Sequence, residues 1–132
     1  MLLESEPTGK IENLEARVNW KSFEYYPALT KVRRYIEERF PGDLSLTVVA
    51  GVAGMEPTYF SSFFHRKVGI RLTDWIWHVR VSEAMRILRT TDQSIRATAY
   101  SVGFSDLRTF ERAFKRVAKI TAREFKRRAR PA

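Results

Sequence analysis

From Pro27 onward, apolar residues recur at helical spacing, and short polar or Gly/Pro breaks divide the runs. Leu29, Val32, Ile36 and Phe40 form one stripe, opened by Pro27 at a first-turn position and stopped by Pro41-Gly42. Ser45 predicts an N-cap for a short helix carrying Leu46, Val49, Ala50 and Ala53. Gly54-Met55 predicts a turn, and Pro57 opens another helix to about Lys67, ended by Val68-Gly69. A long run from about Leu72 to Arg89 repeats Leu72, Trp75, Ile76, Val79, Met85, Ile87 and Leu88 in helical fashion. A short helix over Ser94 to Val102, a turn at Gly103-Phe104-Ser105 and a helix from Asp106 to Val117 follow. The last helix opens with Thr121-x-x-Glu124, a capping box in which both side chains satisfy backbone N–H groups. No stretch alternates with period two, so the expected fold is all-α with about seven helices.

Residues 1–26 carry less pattern. Ile11, Leu14 and Val18 have helical spacing, but Pro7-Thr8-Gly9 interrupts it, and the segment reads as an N-terminal arm or linker. The remainder, 27–132, divides into a first unit over about 27–70, a linker helix over about 72–90 and a second unit over about 94–130.

The two units repeat one another. Gly54-Met55 matches Gly103-Phe104 at a shift of 49, and Phe60 and Phe64 match Phe110 and Phe114 at a shift of 50. Each copy reads short helix, Gly-containing turn, second helix, which is a helix-turn-helix. On helix 57–67, Phe60, Phe63 and Phe64 face inward, whereas Thr58, Ser61, Ser62 and His65 face outward. On helix 106–117, Leu107, Phe110, Phe114 and Val117 face inward, with Arg108, Glu111, Arg112 and Lys115 opposite. A helix entering a major groove needs this division, an apolar back that seats it and a polar front that reaches base edges. An ordinary surface helix has the same periodicity; the recurrence after the same turn favours DNA.

Charge sharpens that expectation. The chain has 24 Lys plus Arg against 15 Asp plus Glu, a formal charge of +9. Residues 1–26 carry three basic and five acidic groups, whereas residues 108–132 carry ten basic and two acidic. Phe110, Phe114, Val117 and Phe125 thread the basic stretch, so it packs as a structured cationic surface rather than a solvated tail. Cys is absent, which excludes a disulfide scaffold, a thiolate metal site and a Cys nucleophile. No apolar run approaches the ~18 residues of a membrane span, and Met1-Leu2-Leu3 meets Glu4 without a signal-peptide core.

Enzyme chemistry finds little support. Asp74, His78 and Ser82 line up at i, i+4, i+8, but no oxyanion donors accompany them, and a surface stripe is the better reading. Two His thirteen residues apart make no metal site, and no Gly-rich phosphate loop exists. Met55, Met85 and the Trp residues read as core, so no cofactor is expected.

The stretch from Ser45 to Lys126 resembles the DNA-binding domain of AraC/XylS-type transcriptional regulators. The resemblance rests on Val49-Ala50, Gly54-Met55, Tyr59-Phe60-x-x-x-Phe64, Gly69 and Arg80-x-x-x-Ala84-x-x-Ile87-Leu88. It continues through Ile95, Ala99, Gly103-Phe104-Ser105-Asp106 and Thr109-Phe110-x-Arg112-x-Phe114-Lys115-Arg116, ending near Phe125. Seven positions depart from the family pattern: Glu56 and Arg71 stand where shorter capping side chains are usual, Thr98 where Ile is, and Lys119, Ala122, Phe125 and Lys126 where Gly, Pro, Tyr and Arg are.

The resemblance implies a bacterial, cytoplasmic, nucleoid-associated regulator of promoters, an activator rather than a repressor. Double-stranded DNA is the expected partner, with RNA polymerase a further candidate and an upstream effector domain expected if the chain is a fragment. Position by position, it implies base reading by Thr58, Ser61 and Ser62 in the first unit and by Arg108 and Arg112 in the second. Glu111 either accepts from a cytosine amine or holds Arg108 or Lys115 on its own helix. His65, Arg66, Lys67, Lys115, Arg116 and Lys119 fall to phosphate contacts, which orient without specifying. A linker of about 18 residues is roughly 27 Å long, which with the flanking units suits reading helices one DNA turn, ~34 Å, apart. The alternative is a relative that acts through protein contacts, as antagonist or adaptor, without specific DNA reading. A salt-dependent affinity for DNA separates the two.

Overall fold

The computed structural model describes residues 14–129, whose helices are α1 (Leu14–Arg17), α2 (Ser22–Tyr25), α3 (Pro27–Arg39), α4 (Leu46–Ala53), α5 (Pro57–Val68), α6 (Leu72–Thr90), α7 (Ile95–Ser101), α8 (Leu107–Ala118) and α9 (Ala122–Ala129). The fold is all-α, as the periodicity predicts, and the helices from Pro27 onward start and stop within a residue or two of the expected places. The excess over seven is α1 and α2, single turns within the stretch read as an arm or linker. Ile11, of the spacing noted there, lies outside the described residues.

Residues 14–25 are packed onto the first unit. Leu14, Val18 and Phe23 are buried, and the Asn19 N–H donates to the Val68 carbonyl at 2.7 Å, where α5 ends. A four-residue helix is too short to hold itself in water, so these turns exist only because the first core fixes them. That contact is long-range, and no spacing along the chain announces it.

The core has two parts, and α6 belongs to both. Leu72, Trp75 and Ile76 join α1–α5 around Leu29, Val32, Ile36, Phe60 and Phe64. One turn further on, Val81, Ala84 and Leu88 join α7–α9 around Ala99, Phe104, Phe110 and Phe114. Phe60, Phe64, Phe110 and Phe114 are fully buried, each worth about 1.5–3 kcal/mol of transfer free energy. At the changeover stands Arg80. It donates to the Phe40 carbonyl at 2.8 Å and to the Gly42 carbonyl at 3.0 Å, and its guanidinium lies 5.7 Å from the Phe104 ring. One side chain thereby ties the end of α3 to the turn of the second unit, and α6 becomes a rigid connection.

The family departures resolve locally. Glu56 caps α5 by accepting from the Tyr59 N–H at 2.8 Å, while Arg71 gives α6 no side-chain cap. Thr98, buried, satisfies its hydroxyl on the Ser94 carbonyl at 2.8 Å. The Thr121 hydroxyl accepts from the Glu124 N–H at 3.1 Å, but the other half of the expected capping box is replaced. The Glu124 carboxylate instead accepts from Arg127 and Arg128, which lower its pKa, because two guanidiniums one turn away outcompete a single amide.

Candidate nucleic-acid interface

Each helix-turn-helix is assembled by the same local devices. Ser45 and Ser94 cap α4 and α7 by accepting from the N–H of Val48 and Ala97. Both turns then close alike, with Met55 N–H on the Ala50 carbonyl and Phe104 N–H on the Ala99 carbonyl, each at 3.0 Å. Gly54 and Gly103 take positive φ, +71° and +109°. Only Gly103 is also confined, since a Cβ there would sit 2.6 Å from the Phe40 carbonyl oxygen and 2.8 Å from Arg80 Nε. Glu56 and Asp106 cap α5 and α8, the latter accepting from Thr109 N–H at 2.8 Å. The Tyr59 and Thr109 amides hold these carboxylates below the ordinary range, so both caps are ionised at neutral pH.

The outward faces are solvent-exposed on both helices. Thr58, Ser61, Ser62, His65 and Arg66 are exposed on α5, as are Arg108, Glu111, Arg112, Lys115 and Arg116 on α8. Their settings differ in detail. Ser62 Oγ accepts from Arg66 at 2.8 Å, so the hydroxyl and guanidinium present one joint group. Lys67 is half-buried with its ammonium 5.4 Å from the Tyr26 ring, turned toward the flank of α5. Arg116 forms a two-pronged pair with Asp74 of α6, at 3.0 and 3.4 Å, which fastens α8 to the linker. Lys119 ends α8 in the left-handed conformation at φ +73° and donates to the Arg116 carbonyl at 3.3 Å. Glu111 has no ion pair among the described residues, so Arg108 and Lys115 are not held by it.

Beside α8 runs an open cleft of about 1100 Å³. Arg108, Glu111, Arg112 and Lys115 line one side of it; Leu14, Arg17 and Trp77 line another. A second depression, sharing Arg17, Trp77 and Arg116 with the first, reaches His65 at the end of α5. His65 at the end of α5 and Arg116 on α8 therefore border one depression, which adjoins the cleft along α8. Arg17, Arg71 and Trp77 belong to this depression and were not among the expected site residues, because α1 and the start of α6 reach it only through the fold.

The aligned Asp74, His78 and Ser82 do not act together. Asp74 is taken by Arg116, and His78 faces Glu15 at 3.5 Å while packed against Trp75. Burial lowers the His78 pKa, and Glu15 opposes that only in part. No group of His, Asp and Glu among the described residues could hold a metal ion, and no described helix is long and apolar enough to cross a membrane.

A family model described as a helix-turn-helix domain matches residues 49–128. The HTH-type transcriptional regulator GlxA of Rhizobium meliloti is 32% identical over 104 residues, covering 79% of this chain and 32% of GlxA. The chain spans about a third of the length of the first curated relatives it matches. The structure of a probable AraC family transcriptional regulator from Rhodopseudomonas palustris superposes with a TM-score of 0.71 at 26% identity, covering 79% of this chain and 98% of that one. The DNA-binding domain of AdpA, solved in complex with a target DNA, shares the fold at a TM-score of 0.69 and 24% identity, over 80% of this chain and 96% of that one.

Proposed function

This chain belongs to the AraC-type helix-turn-helix family, and from that premise we propose that it regulates transcription by setting α5 and α8 into successive major grooves of one duplex. The observation that carries the proposal is the pair of exposed polar faces on α5 and α8, joined through an α6 that belongs to both cores, with His65 and Arg116 bordering the same depression. At 19 residues, α6 is about 28 Å long, which with its flanking units suits a separation of one DNA turn.

The proposed base readers are Thr58, Ser61 and Ser62 on α5 and Arg108, Glu111 and Arg112 on α8. Arg108 and Arg112 are suited to guanine O6 and N7, and Glu111, with no ion pair among the described residues, to a cytosine amine. His65, Arg66, Lys67, Lys115, Arg116 and Lys119 are proposed to hold phosphates. Lys67 and Arg116 must give up, or share, their present partners to do so. The proposed sense of regulation is activation, with RNA polymerase as the protein partner.

Selection of bound sites from a random duplex pool tests the reading. The expected outcome is two half-sites about 10 base pairs apart, the half under α8 rich in G·C. Binding that is absent at low salt, or flat as salt rises, would instead favour an adaptor working by protein contacts.

A further inference from the structure

We propose that the cleft between α1 and α8 seats one sugar-phosphate strand of the duplex, with Arg17 as the clamp on the wall opposite α8. The proposal rests on the DNA reading above and adds a contact from outside the matched helix-turn-helix segment.

A helix lying in a major groove has a phosphate strand along each side. For α8, one of those sides is open cleft. Its exposed face forms one wall, and Leu14, Arg17 and Trp77 form the other. The trough follows α8 from Arg108 to Lys119. A helix of 12 residues is about 18 Å long, enough to run beside several consecutive phosphates of one strand. The volume exceeds the usual ~300–1,000 Å³ of a small-molecule pocket, and the cleft is open to solvent.

The electrostatics select an anionic strand. Arg17, Arg108, Arg112, Lys115 and Arg123 line the cleft, and among the described residues Glu111 is its one carboxylate.

The outer wall is also fixed in place. The Arg17 carbonyl oxygen lies only 2.5 Å from where a Cβ on Gly69 would stand, and Asn19 is bonded to Val68. The backbone bearing Arg17 is thus seated on the first unit, whereas α8 belongs to the second. A strand in the cleft would touch both units at once, between the two reading helices. Arg17 sits on a single turn outside those helices, so its role is to hold phosphate rather than to read bases.

The test uses a fluorescent duplex of about 30 base pairs recovered by selection, and an unselected duplex of equal length. Binding is measured at several salt concentrations for wild type, Arg17→Ala and Arg17→Lys. Loss of one phosphate contact reduces the salt slope by about 0.9, which at ~0.15 M salt weakens binding about fivefold. Arg17→Ala is expected to show that loss on both duplexes with its base preference unchanged, and Arg17→Lys to recover most of it. Ethylation of the phosphates between the half-sites should interfere with wild-type binding more than with binding by Arg17→Ala. If wild type binds with a clear salt slope and Arg17→Ala matches it in slope and affinity, the clamp is overturned while the DNA reading stands. If wild type binds neither duplex at low salt, the DNA reading itself falls. Thermal melting of both variants checks the fold; should Arg17→Ala melt early, equal salt slopes for Arg17→Lys and Arg17→Gln would still overturn the clamp.

Discussion

Glu56 and Asp106 cap α5 and α8 at equivalent positions, and the turns before them close through equivalent hydrogen bonds. The faces that follow diverge. The first unit presents Thr58, Ser61 and Ser62, while the second presents Arg108, Glu111 and Arg112 at the same places. The supports diverge too. Gly54 borders open space where Gly103 is pressed between Phe40 and Arg80, and α5 ends in Gly69 where α8 ends in Lys119. Duplication kept what the backbone requires and released what solvent or a ligand meets.

The largest expected effect is in the turns. Gly103→Ala adds a Cβ against a backbone carbonyl and Arg80, combining left-handed strain with overpacking, for a loss of about 3 kcal/mol. Gly54→Ala faces only the strain and should cost about 1 kcal/mol. Urea unfolding of the two variants measures both, and equal losses would mean that the contact with Arg80 places no constraint on the turn.

Next comes the contrast between the faces. Arg112→Ala should lose about 1–3 kcal/mol of discrimination between target and scrambled duplexes. Ser62→Ala, removing a small hydroxyl already shared with Arg66, should lose less than half as much. Binding of both variants at fixed salt decides it, and a larger specificity loss from Ser62→Ala would reverse the assignment.

The end of α8 gives a smaller effect of opposite sign. Lys119→Gly relieves a left-handed non-glycine residue and should stabilise the protein by about 1 kcal/mol. Gly69→Ala, by contrast, should destabilise it by about as much as Gly103→Ala, because the Arg17 carbonyl oxygen stands 2.5 Å from the added Cβ. Thermal melting reads both.

The smallest effect is one the units share. The caps Glu56 and Asp106 have lowered pKa values, so their stabilisation is fully present above the ordinary carboxylate range. It fades as pH falls through the lowered values. Melting temperature measured from about pH 6 down to about pH 3 should fall less steeply in Glu56→Gln and Asp106→Asn than in wild type. A wild-type slope retained by both variants would assign the acid loss to other groups.

The helices, their caps and the duplication were legible in the chain because each depends on neighbours three or four residues away. Spacing placed the buried phenylalanines of α5 and α8, and with them the outward residues. It could not show that Arg116 would turn to Asp74, or that Lys67 would lie on Tyr26, because those partners are distant in sequence and meet only when the units pack.

Periodicity and local capping thus determined the elements and which side of each would meet water. Tertiary packing decided how the two units stand to each other, through an α6 shared by both cores and an Arg80 bonded across them. It also decided that α1 and α2 would form at all and that Arg17 would line one cleft with α8. Short-range order follows from backbone hydrogen bonds and side-chain alternation, which neighbouring residues encode. Arrangement follows from burying apolar surface between distant segments, and no local spacing records that.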